Sequence, residues 1–376
     1  IAYDYQALKE YTKTKNALMA ENSMWRYKKL LPCKRSPAVG SMIGSTPLIQ
    51  ARNLGKEFGS DLVFIKDDSI NRPTLSYKDR AVAVAVNKAL EFNFSILGCV
   101  STGNVSNSVS ALAAILQMPC YVIVPGGTEN GKLIGSVIYG AKVIRVNGSY
   151  DEANRLCKEI AKKNPIAFVN INLRSYYSEG AKTIIFEIAE QLNWNLPKHL
   201  ILPLAGGTMV IKAAKAISEL WELGLVEPTP VKIYGAQASG SAPIATAFKA
   251  GTDIIKPVQP HTIARSLAIG NPGDGKVAIQ AIRSTNGYIG SVTDDEIIGG
   301  MELLASHEGI FAEASGGATI GLARNLFRDK LIPGDESVVI VVSGNGYKTP
   351  DPVIGRVNSI IDVENDLINL SRAMGL

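Results

Sequence analysis

Cysteine is scarce in this chain: four of 376 residues, Cys33, Cys99, Cys120 and Cys157, none of them spaced as Cys-x-x-Cys. That excludes a disulfide framework or a zinc ribbon and leaves four reduced thiols in a cytosolic core. The only histidines, His199, His261 and His307, lie far apart, so no local metal-ligand set exists. Charge of one sign is lacking too. Thirty-nine Lys and Arg face 34 Asp and Glu, a net +5 without basic blocks, which is no electrostatic footprint for nucleic acid. No apolar run approaches the roughly 18 residues of a membrane-spanning helix, and the opening IAYDYQALKE has no signal-peptide pattern, so the cytoplasm is the expected location. With 46% hydrophobic and 19% charged residues the chain is expected to fold. Its length suggests about two domains at roughly 150 residues each.

What is present is an alternation of short β-rich runs with helical patterns. DLVFIKDD precedes a helix near Asp79 to Glu91, and SILGCVST one near Ser106 to Leu116. PCYVIVP and AKVIRVNG lead to a helix near Tyr150 to Lys163. AFVNIN, LILPLAGG and VKIYGAQA continue the rhythm, with helices near Gly180 to Leu192 and Met209 to Leu223. Such alternation predicts an α/β fold of parallel strands joined by helical crossovers. SVVIVVSG is β-branched throughout and predicts a strand buried on both faces. The polar N-terminal stretch to about Ile43 lies outside the rhythm and is expected to pack as helices on a neighbour. Thr293-Asp-Asp-Glu296 reads as a capping box opening a helix that ends near His307.

Ligands of open α/β sheets gather at the carboxyl ends of the strands, which directs attention to the turns there. Gly126-Gly-Thr-Glu-Asn-Gly-Lys132 matches Gly-x4-Gly-Lys of a phosphate-binding P-loop, but Leu133 stands where a magnesium-binding hydroxyl is needed. Leu204-Ala-Gly-Gly-Thr-Met209 joins a strand to a helix, where backbone N–H groups at the positive end of the helix dipole could hold a phosphate without a cation. Ser343-Gly-Asn-Gly346 would set a hydroxyl at the sheet edge. Lys78, within Pro73-Thr-Leu-Ser-Tyr-Lys-Asp-Arg80, opens the apolar helix AVAVAVNKAL, where the helix terminus and burial are expected to lower its pKa and favour a nucleophilic amine. With Ser101-Thr-Gly-Asn104, these groups would make a pyridoxal phosphate site: a lysine imine, a backbone phosphate cradle, an amide for the phenolic oxygen and a hydroxyl for the pyridine nitrogen.

The sequence resembles the threonine synthase branch of the fold-type II family of pyridoxal phosphate enzymes from about Trp25 to Pro350. PTLSYKDR, STGN, Asn172-Leu-Arg-Ser-Tyr-Tyr-Ser-Glu-Gly-Ala-Lys-Thr183, Tyr234-Gly-Ala-Gln-Ala-Ser-Gly-Ser-Ala-Pro243, Glu308-Gly-Ile-Phe-Ala-Glu-Ala-Ser-Gly-Gly317 and Ser343-Gly-Asn-Gly-Tyr-Lys348 carry the resemblance. It implies that Lys78 forms the imine, that Asn104 meets the phenolic oxygen and that Ser343 faces the pyridine nitrogen. Ala205, Gly206, Gly207, Thr208 and Met209 correspond to the phosphate loop, and Ser101 and Thr102 to the clamp on the substrate carboxylate. Arg174, Ser178, Lys182 and Arg265 are candidates for the substrate phosphate. Glu179, Glu308 and Glu313 are open to structural or proton-moving roles. A neutral Ser343 is expected not to hold a proton on the ring nitrogen. The chain departs from the commonest pattern Asn-Pro-Thr-Gly-Ser-Phe in reading Asn71-Arg-Pro-Thr-Leu-Ser-Tyr77, which adds Arg72.

The implied architecture is two parallel-sheet α/β domains with the cofactor between them. A helical extension would span 1–45, the large domain 46–91 and 177–350, the small domain 92–176, and a helical tail 351–376. The implied activity is conversion of O-phospho-L-homoserine and water to L-threonine and phosphate by a cytoplasmic homodimer. The rivals are cysteate synthesis from O-phosphoserine and sulfite, a P-loop nucleotide-binding protein, and an idle metabolite sensor on the same fold.

Overall fold

A computed structural model describes residues 1–12, 21–355 and 360–376. Among the described residues ten strands form two sheets: β1 (Leu48–Gln50), β2 (Val63–Asp67), β3 (Ile96–Val100), β4 (Cys120–Pro125), β5 (Lys142–Val146), β6 (Ile166–Phe168), β7 (His199–Pro203), β8 (Lys232–Ala238), β9 (Tyr288–Val292) and β10 (Val338–Val342). The six-stranded sheet has the order β1-β2-β10-β7-β8-β9 and the four-stranded sheet β5-β4-β3-β6. Every pairing is parallel except β1 with β2. The α/β class read from the alternation is therefore the fold observed. All five residues of β10 are buried, as a strand covered on both faces requires.

The crossover helices form where the sequence repeats at helical spacing. Tyr150–Lys163 matches its expected bounds and opens with a capping box in which Ser149 and Glu152 satisfy each other's backbone N–H groups. Thr293 and Glu296 make the same box on Asp294–Glu308, which ends on Gly309 in the left-handed region at φ 68°. The helix expected from Asp79 begins one residue earlier, as Lys78–Glu91, and that near Ser106 begins at Asn104 and runs to Ile115. Both residues of interest thus occupy first turns.

Two apolar layers cover the large sheet. One gathers Ile184, Phe186, Leu200, Leu202, Val210 and Ile217, the other Val63, Ile65, Ile201, Ile297, Leu304 and Ile320. A third core joins Val82, Val84 and Val86 of the Lys78 helix to Leu97, Cys99 and Val122 of the small sheet. That helix packs on the core of the small sheet. The N-terminal segment packs on the chain's own cores: Tyr27 lies against Phe186, with ring centroids 5.3 Å apart, and Trp25 donates its indole N–H to the Val39 carbonyl. Residues 13–20 of the expected N-terminal extension and 356–359 of the expected tail lie outside the described residues. No helix among the described residues is long and apolar enough to cross a membrane.

Candidate active site

The carboxyl ends of β2, β3, β7 and β10 bring the singled-out turns into play. After β2, Asp67 and Asp68 turn the chain toward the Lys78 helix. The second residue after the lysine anchors that helix: Arg80, fully buried, donates Nε to Asp68 at 2.6 Å and Nη1 to Glu187 at 2.6 Å. Lys66 completes the cluster on Glu187 at 2.8 Å. Such buried charges are tolerable only when each is paired and hydrogen-bonded, as here. Two cations hold Glu187 well below the usual carboxylate range despite its burial. Asp79 accepts both the backbone N–H and the hydroxyl of Thr74, at 2.9 and 2.8 Å, and burial pushes it up to about 6.

Lys78 emerges half-buried from this platform. Its Nζ donates to the Tyr77 hydroxyl at 2.5 Å and lies 5.9 Å from the centre of the Tyr177 ring. Burial pulls the Lys78 pKa down, but Tyr177 and Tyr77 outweigh it and hold the amine above its ordinary range. This corrects the expectation of a lowered pKa, which considered the helix and burial but not the two phenols. The Tyr77 backbone N–H donates to the Ser343 carbonyl at 3.0 Å, and Ser76 bridges Gly344.

From Ser343 a buried chain of contacts runs to Asn104. The Ser343 hydroxyl is 2.9 Å from that of Ser315, which donates to Glu313 Oε1 at 2.9 Å. Glu313 accepts from Asn104 Nδ2 at 3.1 Å on both oxygens, and Lys348 donates to Asn104 Oδ1 and, at 2.7 Å, to the Thr74 carbonyl. Burial lowers the Lys348 pKa. The structure thus links Lys78, Asn104 and Ser343 through Tyr77, Glu313, Ser315 and Lys348. Sequence reasoning gave Tyr77, Ser315 and Lys348 no role, although all three lie in the quoted motifs; a hydroxyl or amine in a run otherwise made of small and turn residues was the available signal.

Ser101 and Thr102, half-buried, form the turn from β3 into the Asn104 helix, and Ser101 Oγ accepts the Gly103 N–H at 3.3 Å. After β7, Ala205 and Gly206 lead to Gly207, which caps the helix Thr208–Glu222 in the left-handed region at φ 103°. A Cβ on Gly207 would come within 2.9 Å of Ala278 Cβ, whereas one on Gly206 would project into open space. Met209 is buried in the core. The Thr208 hydroxyl donates to Asp274 at 3.3 Å, and the same carboxylate receives Arg174 at 2.5 Å. Arg174 is therefore exposed and beside the loop, with Ser178 one turn further along the same helix.

Several other candidates are not brought to this site. Lys182 is fully buried between Glu179 and Glu219, both at 2.9 Å, so it is a structural cation and not a free phosphate ligand. Glu179 is engaged by Lys182, Lys212 and Lys215, and Glu308 accepts the Leu54 N–H. Arg265 faces Glu129 at 3.9 Å, and Arg72 is exposed. Gly126–Lys132 leaves β4 into a 3-10 turn, Asn130–Leu133, and a four-residue helix, Ile134–Val137. No long helix presents its N-terminus there, so the P-loop alternative loses its essential element. The side chain of Lys132 lies outside the described residues.

A turn of small residues opening a helix, with room for a ligand at Gly206, a lysine on the Lys78 turn and a hydroxyl at the end of β10 fit pyridoxal phosphate. The chain belongs to the pyridoxal-phosphate dependent enzyme family, which it matches over residues 39–344. Within that family it belongs with the threonine synthases. It is 38% identical to "Threonine synthase" of Methanocaldococcus jannaschii over 377 aligned residues, covering 100% of this chain and 92% of the relative. It is 35% identical to "Threonine synthase" of Methanosarcina acetivorans, covering 98% and 90%. Solved structures share the fold: threonine deaminase isoform 2 of Solanum lycopersicum has a TM-score of 0.70 at 19% identity, covering 84% of this chain and 89% of that one. Diaminopropionate ammonia lyase of Escherichia coli gives 0.70 at 18%, covering 91% of each. The fold-type II expectation holds.

Proposed function

We propose that this chain converts O-phospho-L-homoserine and water to L-threonine and phosphate with pyridoxal phosphate at the site described above. The observation that carries the proposal is the hydrogen-bonded constellation joining Lys78, Asn104 and Ser343. Bound there, pyridoxal phosphate supplies an electron sink that makes protons on the substrate's carbon atoms removable. Lys78 would hold the cofactor and, once displaced by the substrate amine, would be the base for the Cα proton. The Tyr77 hydroxyl, 2.5 Å from its Nζ, holds or passes that proton. Asn104 meets the phenolic oxygen and Ser343 the ring nitrogen, while Ala205, Gly206, Gly207, Thr208 and Met209 form the cofactor's phosphate loop. Ser101 and Thr102 bind the substrate carboxylate. Arg174 and Ser178 would hold the substrate's phosphate; a guanidinium can fork two phosphate oxygens.

In this reading the small domain spans 92–176 and closes on the large one (46–91 and 177–350), flanked by the extension 1–45 and the tail 351–376. The enzyme works as a cytoplasmic homodimer without a nucleic acid partner. Mass spectrometry of the product tests the reading. The protein supplied with pyridoxal phosphate should form threonine from O-phosphohomoserine. Cysteate from O-phosphoserine and sulfite, without threonine, would reassign the substrate while leaving the cofactor site in place.

A further inference from the structure

Lys348 reaches the proposed site from a loop whose backbone is pinned on several sides. It ends the short 3-10 turn Gly346–Lys348, which Asn345 opens by accepting the Tyr347 N–H at 3.0 Å. Asn345 donates its own N–H to the Leu75 carbonyl and its amide to the Ser69 carbonyl, at 3.1 and 3.2 Å. A Cβ on Gly346 would lie 2.7 Å from the Phe311 ring, so only glycine lets the turn pack this closely. From there the Lys348 ammonium donates to the Thr74 carbonyl at 2.7 Å and to Asn104 Oδ1. Thr74 is held in turn by Asp79, which anchors the amine on the segment that leads to Lys78.

These contacts settle which way the Asn104 amide points. An ammonium only donates and a carboxylate only accepts, so Oδ1 must face Lys348 and Nδ2 must face Glu313, whose oxygens both lie at 3.1 Å. The two N–H bonds of a planar amide diverge too widely to enter one carboxylate together. One N–H therefore remains for the cofactor's phenolic oxygen. Glu313 by itself is a poor neighbour for that oxygen, because it brings negative charge to the nitrogen that must donate to an anion. Lys348 sets the opposite charge at the other end of the amide. A neutral donor could satisfy Oδ1 with less desolvation, and burial does pull the Lys348 pKa down against Glu313 and Asp79, the carboxylates that act on it. What the cation adds is polarisation, since hydrogen bonds in series strengthen one another.

We propose that Lys348 is a positioning residue for the cofactor: it aims and polarises Asn104, so that the amide N–H binds the phenolic oxygen despite the carboxylate beside it. The inference rests on the proposed cofactor site, and two forms of the cofactor separate its failure from that of the site. The apoprotein is titrated by equilibrium dialysis with pyridoxal phosphate and with the analogue carrying hydrogen in place of the phenolic hydroxyl, which keeps the aldehyde and the phosphate. Lys348→Met removes the charge from a side chain of similar shape. It should bind pyridoxal phosphate about 3- to 10-fold more weakly than the wild type, the size of one hydrogen bond, and the analogue equally well. Asn104→Ala should show the same selective loss, and adding Lys348→Met to it should cost nothing more, because the lysine acts through the amide. If Lys348→Met weakens both cofactor forms alike, or neither, while Asn104→Ala discriminates between them, the role of Lys348 is overturned and the site stands. An Asn104→Ala variant that does not discriminate removes the Asn104 contact and the inference with it.

Discussion

The backbone N–H of Tyr77 donates to the carbonyl of Ser343 at 3.0 Å, joining residues 266 positions apart in the chain (343 less 77). The Asn345 N–H to the Leu75 carbonyl, at 3.1 Å, and the Ser76–Gly344 bridge flank that bond. The loop before the Lys78 helix and the loop after β10 are therefore stitched into one surface. Lys78 follows the seam on one segment of the chain, and Ser343 lies in it on the other. The lysine and the hydroxyl gain their relative position from main-chain bonds, which tolerate side-chain change nearby.

Tyr77 stands where the commonest family pattern has Phe, and its hydroxyl accepts a hydrogen bond from Lys78 Nζ at 2.5 Å. Because Tyr177 and Tyr77 hold Lys78 above its ordinary pKa, less free amine is available at neutral pH than for a lone buried lysine. Tyr77→Phe should lower that pKa and extend cofactor uptake by the apoprotein to lower pH. The pH dependence of the rate at which the visible band grows checks this, with Lys78→Ala as the control in which no such band develops. An acid limb unmoved by Tyr77→Phe would remove the phenol from the lysine's titration.

Gly206 and Gly207 separate cofactor binding from fold stability. A Cβ on Gly206 enters open space, so Gly206→Ala should leave the apoprotein's thermal midpoint unchanged and weaken cofactor binding by filling the cradle. Gly207 combines φ 103° with the approach to Ala278, so Gly207→Ala should cost about 1–3 kcal/mol of stability even without cofactor. Apoprotein melting curves and cofactor titrations measure the two effects. Equal destabilisation of the two apoproteins would contradict the open cradle at Gly206.

Much of this was legible in the sequence, for identifiable reasons. Parallel strands announce themselves because burial on both faces demands unbroken β-branched runs, as in Val338–Val342, and helix starts because Thr293 and Glu296 satisfy orphan N–H groups locally. Lys78, Asn104 and Ser343 draw attention in the sequence because each follows a strand or opens a helix. The network between them was not legible: Ser315 and Ser343 are 28 residues apart in sequence, Asn104 and Lys348 244. Only the fold brings such pairs together. Lys182 misled for the same reason. It sits in a family-like stretch, but its partner Glu219 lies on another helix, so a sequence-level cation turned out to be a buried one.

The Glu179 cluster predicts how stability falls in acid. Burial alone would raise the Glu179 pKa, but Lys182 and Lys212 reverse the effect and bring it from the ordinary 4.5 to about 2. A depressed carboxylate contributes stability that is fully present above its unfolded pKa and is lost as pH falls through the folded one, here between about 4.5 and 2. The contribution at neutral pH is roughly 3 kcal/mol. Glu179→Gln should therefore be strongly destabilised at pH 7, with the deficit shrinking as wild type and variant are compared at successively lower pH. Urea midpoints across that range provide the measurement; a deficit independent of pH would mean that packing, and not charge, accounts for it.

Arg174 and Asp274 give opposite predictions that distinguish a substrate ligand from a surface ion pair. The pair is exposed, with side-chain accessibilities of 52% and 35%, and such a pair contributes at most about 1 kcal/mol to stability. Its position matters more, because Asp274 also accepts the Thr208 hydroxyl at 3.3 Å in the loop proposed to hold the cofactor's phosphate. If Arg174 serves the substrate phosphate, Asp274 competes with that phosphate for the guanidinium. Arg174→Ala should then raise KM for O-phosphohomoserine by about 10- to 100-fold, the range for a hydrogen bond to a charged group, with little change in melting temperature. Asp274→Asn frees the guanidinium and removes a negative charge facing an anion, so its KM should stay level or fall. Steady-state kinetics of the two variants decide the matter: if both leave KM unchanged, or both raise it alike, Arg174 is a surface partner of Asp274, and the phosphate must be met by other residues.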